Sequence, residues 1–160
     1  MLLTWEAVCA DPSLRDLPYK IELNRFNQII MAPANFQHSR YQGEIAWLLR
    51  RLLKGGKAFP EAAIMTTDNV KVPDVVWASR GWLKQHGGKT TAPVAPEICV
   101  EVLSPTNTAE EIDAKRALYF AAGAQEVWTC ADDGAMCFYH AAGPLPASVL
   151  CPKFPVRVKL

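Results

Sequence analysis

Pro96-Glu97-Ile98-Cys99-Val100-Glu101-Val102-Leu103-Ser104-Pro105 decides how the rest of the chain is read. Between its prolines, Ile98 to Leu103 is a β-branched, apolar run of the length of one buried strand, interrupted only by Glu101. An ionised carboxylate in such a run is costly unless a cation or several donors compensate it. The anomaly recurs upstream in Val72-Pro73-Asp74-Val75-Val76-Trp77, where Asp74 interrupts a second strand-like run. If the two strands are neighbours, Asp74 and Glu101 converge on one point. Two carboxylates are the count that Mg²⁺ takes from protein, with water and substrate phosphate completing its octahedron. The carbonyl of Val102, at the strand end, offers a third oxygen.

Downstream, Thr108-Ala109-Glu110-Glu111 reads as a capping box that opens a helix, and Gly123 closes it. Lys115 lies about 10 Å along that helix at ~1.5 Å per residue. Glu101 lies about 7 Å back from the strand end at ~3.3 Å per residue. A helix returning along the sheet therefore brings Lys115 to the depth of Glu101. Lys115 also shares the inward stripe of Ile112 and Tyr119. An ammonium there can orient an attacking water and offset charge in a phosphoryl transition state. Glu44 repeats the pattern on the core-facing side of a long helix, where it would hold a metal-bound group in place or help bind a second metal.

Each of these residues also has a structural reading. Asp74 after Pro73 can cap a strand or turn, and Glu101 can form a buried ion pair. Lys115 can reach solvent along its aliphatic stem. Glu44 can pair with Arg40 or Arg51 of its own helix. The combination points to a metal-dependent phosphodiesterase more specifically than any member does. His38, His86 and His140 show no ligand spacing and read as surface or structural residues. Arg50, Arg51, Lys54 and Lys57 cluster at a helix end, where they complement the helix dipole or meet a phosphate backbone.

Working outward, the remaining elements are predicted as follows. Thr4 caps a short helix to about Ala10. Tyr19 to Leu23 and Phe26 to Met31 form strands around a tight turn at Asn24-Arg25. A helix runs from Phe36 to about Lys54 and stops at Gly55-Gly56. Phe59 to Thr66 and Lys71 to Trp77 are strands around Asp68-Asn69. Ser79 to His86 is a short helix, and Gly87 to Pro96 a mobile loop. Glu126 to Cys130 and Met136 to His140 form a hairpin around Asp132-Asp133-Gly134, and the proline-rich tail ends in a strand-like Val156 to Leu160. The order implies one α/β domain over residues 1–160, with a mixed, largely antiparallel sheet between helices.

The 160 residues are enough for a real core, and half of them are apolar. A net charge of +1 gives no global field toward nucleic acid, so a polyanion site must be local. Five scattered cysteines without a C-x-x-C pair argue against a disulfide framework and structural zinc. No signal peptide or membrane-length apolar run is visible, which makes the cytoplasm the expected compartment.

Pro73-Asp74, the Glu101-Val102-Leu103-Ser104-Pro105 segment, Lys115 to Tyr119 and Gly123-Ala124-Gln125-Glu126-Val127-Trp128 together resemble the Uma-two family of restriction endonucleases. That family lies in the PD-(D/E)XK nuclease superfamily, and the likeness spans nearly the whole chain. The resemblance implies a restriction-endonuclease-like core, Mg²⁺ or Mn²⁺ as cofactor and a nuclease role. It makes Asp74 and Glu101 the motif acids and Glu44 the assisting helix acid. Where the superfamily carries a lysine two residues after its acid, this chain has Leu103, so Lys115 would replace it. The leading expectation is an endonuclease acting on double-stranded DNA as a two-fold homodimer, away from membranes. The alternative is a nuclease-fold protein that binds nucleic acid or regulates without cutting.

Overall fold

The computed structural model describes residues 2–160. A short helix α1 (Trp5–Ala10), capped by the Thr4 hydroxyl, leads through a 3₁₀ turn into strands β1 (Tyr19–Leu23) and β2 (Ile29–Pro33). The long helix α2 (Phe36–Leu52) follows, with Asn35 as its cap. Next come β3 (Gly56–Pro60), β4 (Ile64–Thr66), β5 (Asn69–Lys71), β6 (Val75–Ser79), α3 (Arg80–His86) and β7 (Ile98–Val102). Helix α4 (Ala109–Ala121) then precedes β8 (Glu126–Cys130), β9 (Met136–His140) and β10 (Gly143–Leu145).

The main sheet has six strands in the order β10-β9-β8-β7-β6-β3. All its pairs are antiparallel except β7 with β8, which α4 connects as the crossover that a parallel pair needs. The mixed α/β architecture expected from the sequence is therefore present. Strand alternation divides the sheet into two faces. Val75, Val100 and Trp128 pack toward Ile45 and Leu49 of α2, in a core shared with Phe138 and Phe154. Val76, Cys99 and Val127 pack on the other face with Ile64 and Tyr119 of α4. Leu49, Val75, Val76 and Val100 are fully buried, each contributing roughly 1.5–3 kcal/mol of apolar transfer free energy. A third small core of Val8, Leu23, Val70 and Val72 ties α1 and the β1–β2 hairpin to β5.

Several predicted elements differ in extent. The second strand begins at Ile29 rather than Phe26, because Asn24 organises a longer turn. Its Oδ1 accepts from the amides of Phe26 and Gln28, and Asn27 takes a φ of 58°. The expected Phe59 to Thr66 strand is divided after Pro60, where Glu61 has a φ of 52°. Its halves, β3 and β4, lie in different sheets. Pro73, which lacks an amide donor, likewise separates β5 from β6. The Gly87 to Pro96 loop is anchored by a bridge between Ile64 and Ala92 and by the Ala95 amide donating to Ala122. The tail forms no strand over Val156 to Leu160 and touches the fold through an Ala135–Arg157 bridge.

Candidate active site

The β6–β7 register pairs Val75 with Val100, so one further step places Asp74 opposite Glu101. Pro73 stops the incoming chain just before β6 and leaves Asp74 at the strand mouth. Its side chain is 1% exposed, yet both oxygens are occupied. Oδ1 accepts from Lys20 Nζ at 2.8 Å. Oδ2 accepts from the Val102 amide at 2.8 Å and lies 3.1 Å from His38 Nε2. The main-chain carbonyl of Asp74 accepts from the Gln42 amide at 2.9 Å, so α2 and β7 fix this residue at both ends.

Glu101 is buried on the α4 face, paired across β8 with Thr129. Its Oε1 accepts from Tyr119 Oη at 2.5 Å and from Lys115 Nζ at 3.4 Å. Its Oε2 lies 3.8 Å from Lys20 Nζ. Lys115 also donates to Glu22 Oε1 at 2.9 Å, and that same oxygen accepts from the Val72 amide. The capping box on Thr108 and Glu111 sets the start of α4, and with it the depth at which Lys115 and Tyr119 meet the sheet. One network thus alternates in sign: Asp74, Lys20, Glu101, Lys115, Glu22.

Burial raises Glu101 above the ordinary glutamate value, despite attraction from Lys115 and Lys20. Burial pushes Asp74 the same way, but the His38 hydrogen bond and the Lys20 charge prevail and hold it well below the usual carboxylate range. Burial works against both ammoniums, and the carboxylates overcome it. Glu101, Asp74 and Glu22 raise Lys20, while Glu101 and Glu22 raise Lys115. The hydrogen bond to Asp74 lifts His38 above the ordinary imidazole value against its own burial. Two adjacent acids driven in opposite directions are the pattern by which sites separate a permanent anion from a proton acceptor.

Of the residues singled out from sequence, Asp74, Glu101, Lys115 and Val102 come together. Val102 contributes its amide to Asp74, a contact different from the carbonyl ligand expected of it. Glu44 is half-buried on α2 and has no hydrogen bond or ion pair to any of them. That helix instead presents His38 and Gln42, four residues apart on one face, because the chain meets Asp74 at the start of α2. His38, expected to be a surface or structural residue, thus contacts the candidate ligand Asp74. Lys20 and Glu22 were also missed. Their signal was two opposite charges at i and i+2 of a strand, which share one face.

Among the described residues, no group of three or more His, Cys, Asp or Glu side chains is arranged to hold a metal ion. A cation here would rest on two carboxylates, with other positions left to backbone, water and substrate oxygens, as suits Mg²⁺. The Lys20 ammonium already bridges Asp74 Oδ1 and Glu101 Oε2, so the geometry accepts positive charge at that point. The donor set, hard oxygens with one imidazole nearby, fits Mg²⁺ or Mn²⁺ rather than a thiophilic ion.

No helix of the described residues is long and apolar enough to cross a membrane. A search of curated proteins finds no match. The fold is similar to the crystal structure of "a putative nuclease belonging to DUF820" from Anabaena variabilis ATCC 29413. The two share 18% identity with a TM-score of 0.73, over 97% of this chain and 94% of that one. At that identity the likeness establishes the fold. The family model described as "Uma2: Putative restriction endonuclease" matches residues 11–143, most of the chain. With this match, and with the motif residues assembled at one strand mouth, the chain belongs to the Uma2 family.

Proposed function

We propose that this protein is a Mg²⁺- or Mn²⁺-dependent endonuclease that hydrolyses phosphodiester bonds in double-stranded DNA. One observation carries the reading: buried Asp74 and Glu101, at the mouths of neighbouring strands, converge on a single positive charge, Lys20. Family membership supports nucleic acid as the substrate class. A divalent cation on Asp74 and Glu101 would supply charge compensation for the scissile phosphate and a more acidic water. Asp74, held as an anion, is the permanent ligand. Lys115, braced by Glu22 and Glu101, orients the attacking water and offsets charge as the phosphorus gains its fifth oxygen. Glu101, buried and held by the Tyr119 hydroxyl, is the second ligand. Tyr119 and Glu22 hold Glu101 and Lys115 in place. A dyad-related pair of such sites would cut both strands, which makes a homodimer the proposed working form.

A second reading has its own support. Every oxygen of Asp74 and Glu101 already has a protein partner, which is also what a nuclease fold retained for binding alone would need. Incubation with supercoiled plasmid and with linear duplex in Mg²⁺ separates the two. The endonuclease reading expects nicked and linear products that EDTA abolishes and that Asp74→Ala does not form. Duplex retardation in a gel with no cleavage in Mg²⁺ or Mn²⁺ would overturn it in favour of the binding module.

A further inference from the structure

The two lysines of the site are not held alike. Lys115 has an anchor outside the shared point, Glu22 at 2.9 Å, and meets only Glu101 of the two candidate ligands, at 3.4 Å. Lys20 bridges both ligands, at 2.8 Å from Asp74 Oδ1 and 3.8 Å from Glu101 Oε2. An ammonium and a divalent cation cannot share that position, because each would face the other's charge across the same two oxygens.

Lys20 also has somewhere to go. It comes from β1, which belongs to the separate β1–β2 sheet, whereas both carboxylates are fixed to the main sheet. Its side chain lines a cleft of about 260 Å³ whose other walls include α1, Asp11, Arg15 and Glu61. Glu61 is built unusually. It adopts a left-handed backbone, with φ of 52°, that a glutamate seldom takes. In that conformation its amide donates to the Asp74 carbonyl at 3.3 Å. Its carboxylate then sits 3.5 Å from the Gln42 amide, which itself donates to the Asp74 carbonyl. The strained residue thus keeps a carboxylate beside the aspartate, on the wall of the cleft that Lys20 shares.

We infer that Lys20 is an internal counter-ion that keeps the cation position closed, and that a divalent cation enters by displacing its ammonium into the cleft toward Glu61. The inference rests on the reading of Asp74 and Glu101 as a cation site. It adds that the site's affinity is set by an intramolecular competitor. Apparent affinity falls by the fraction of molecules in which the position is open. The metal-free protein meanwhile keeps two buried acids compensated, which is the condition for placing them there at all.

The test needs neither DNA nor turnover. Mn²⁺ is titrated against the full-length wild type, Lys20→Met, Asp74→Asn and the double variant, with free Mn²⁺ read by electron paramagnetic resonance. Lys20→Met should bind Mn²⁺ more tightly by roughly ten-fold or more, and Asp74→Asn should remove binding in both backgrounds. Glu61→Gln, with Lys20 intact, should weaken binding by a few-fold. Equal or weaker binding in Lys20→Met, with Asp74→Asn still abolishing it, would overturn the competitor role and leave the cation site standing. Binding that is absent from every variant, or indifferent to Asp74→Asn, would overturn the cation site itself. If Lys20→Met fails to fold, Lys20→Arg decides. Its permanent, bidentate charge should weaken Mn²⁺ binding below wild type, and equal or tighter binding refutes the proposal.

Discussion

Glu101 on β7 and Glu126 on β8 are both buried glutamates on adjacent parallel strands, and they are satisfied in opposite ways. Glu126 accepts from Trp128 Nε1, Ser148 Oγ and the amides of Val149 and Leu150, at 2.7 to 2.8 Å. Those donors are neutral, and two of them are main chain, so the carboxylate fastens the tail to the sheet and has no exchangeable partner. Glu101 accepts from one hydroxyl and leans on two ammoniums, in company with two further carboxylates. Ammoniums on long stems can be displaced, whereas backbone amides cannot. A buried acid is therefore read for function by the mobility of what compensates it, not by burial alone.

The largest effect expected from this contrast is on cleavage. Asp74→Ala should abolish both Mg²⁺-dependent cleavage and Mn²⁺ binding. Lys115→Ala should lose cleavage by about 10² or more while retaining most of the metal affinity. Plasmid cleavage rates beside a metal titration check both, and undiminished cleavage in Lys115→Ala would remove that residue from the mechanism. Next is stability at the other glutamate. Glu126→Ala leaves four buried or half-buried donors without their acceptor, and should cost about 3 kcal/mol in urea unfolding while leaving Mn²⁺ affinity unchanged. A loss of metal binding there would break the comparison.

Tyr119→Phe sharpens it. Removing one neutral donor from Glu101 should cost about 1–2 kcal/mol, less than the loss at Glu126, because the ammoniums remain. A pH-dependent effect follows at His38. Its folded value is raised by Asp74, so the stability it adds is fully present below the ordinary imidazole value and is lost as pH rises through the raised one. The destabilisation of His38→Asn relative to wild type should therefore be fully present below the ordinary imidazole value of about 6.5 and shrink as pH rises above it, as chemical denaturation at each pH would report. Smallest is Glu44→Ala. With no bond to the network, it should change stability by no more than about 0.5 kcal/mol and cleavage by less than two-fold.

The sequence carried the main sheet because Ile98 to Val102 and Glu126 to Cys130 are short runs, rich in β-branched or aromatic residues and bounded by turn residues, which length and composition mark as strands. It carried α4 because capping is local chemistry, visible as Thr108 and Glu111. Asp74, Glu101 and Lys115 stood out because their charges break apolar patterns. Lys20 and Glu22 did not, since Tyr19 to Leu23 alternates polar and apolar residues like any half-exposed strand, and His38 did not, since no ligand spacing marks it. What makes those residues special is long-range contact, Lys20 and His38 with Asp74 and Glu22 with Lys115, which no local period encodes. Glu44 illustrates the converse. It is half-buried on α2, but the helix meets Asp74 nearer its start, through His38 and Gln42. Register along a helix is set by where its ends dock, and that is a tertiary fact.

Anomalous scattering from crystals soaked in Mn²⁺ tests the central claim most directly. The account predicts a peak coordinated by Asp74 and Glu101, with the Lys20 ammonium withdrawn from between them toward Glu61. No peak at that position, with Lys20 still bridging the two carboxylates at saturating Mn²⁺, would contradict it.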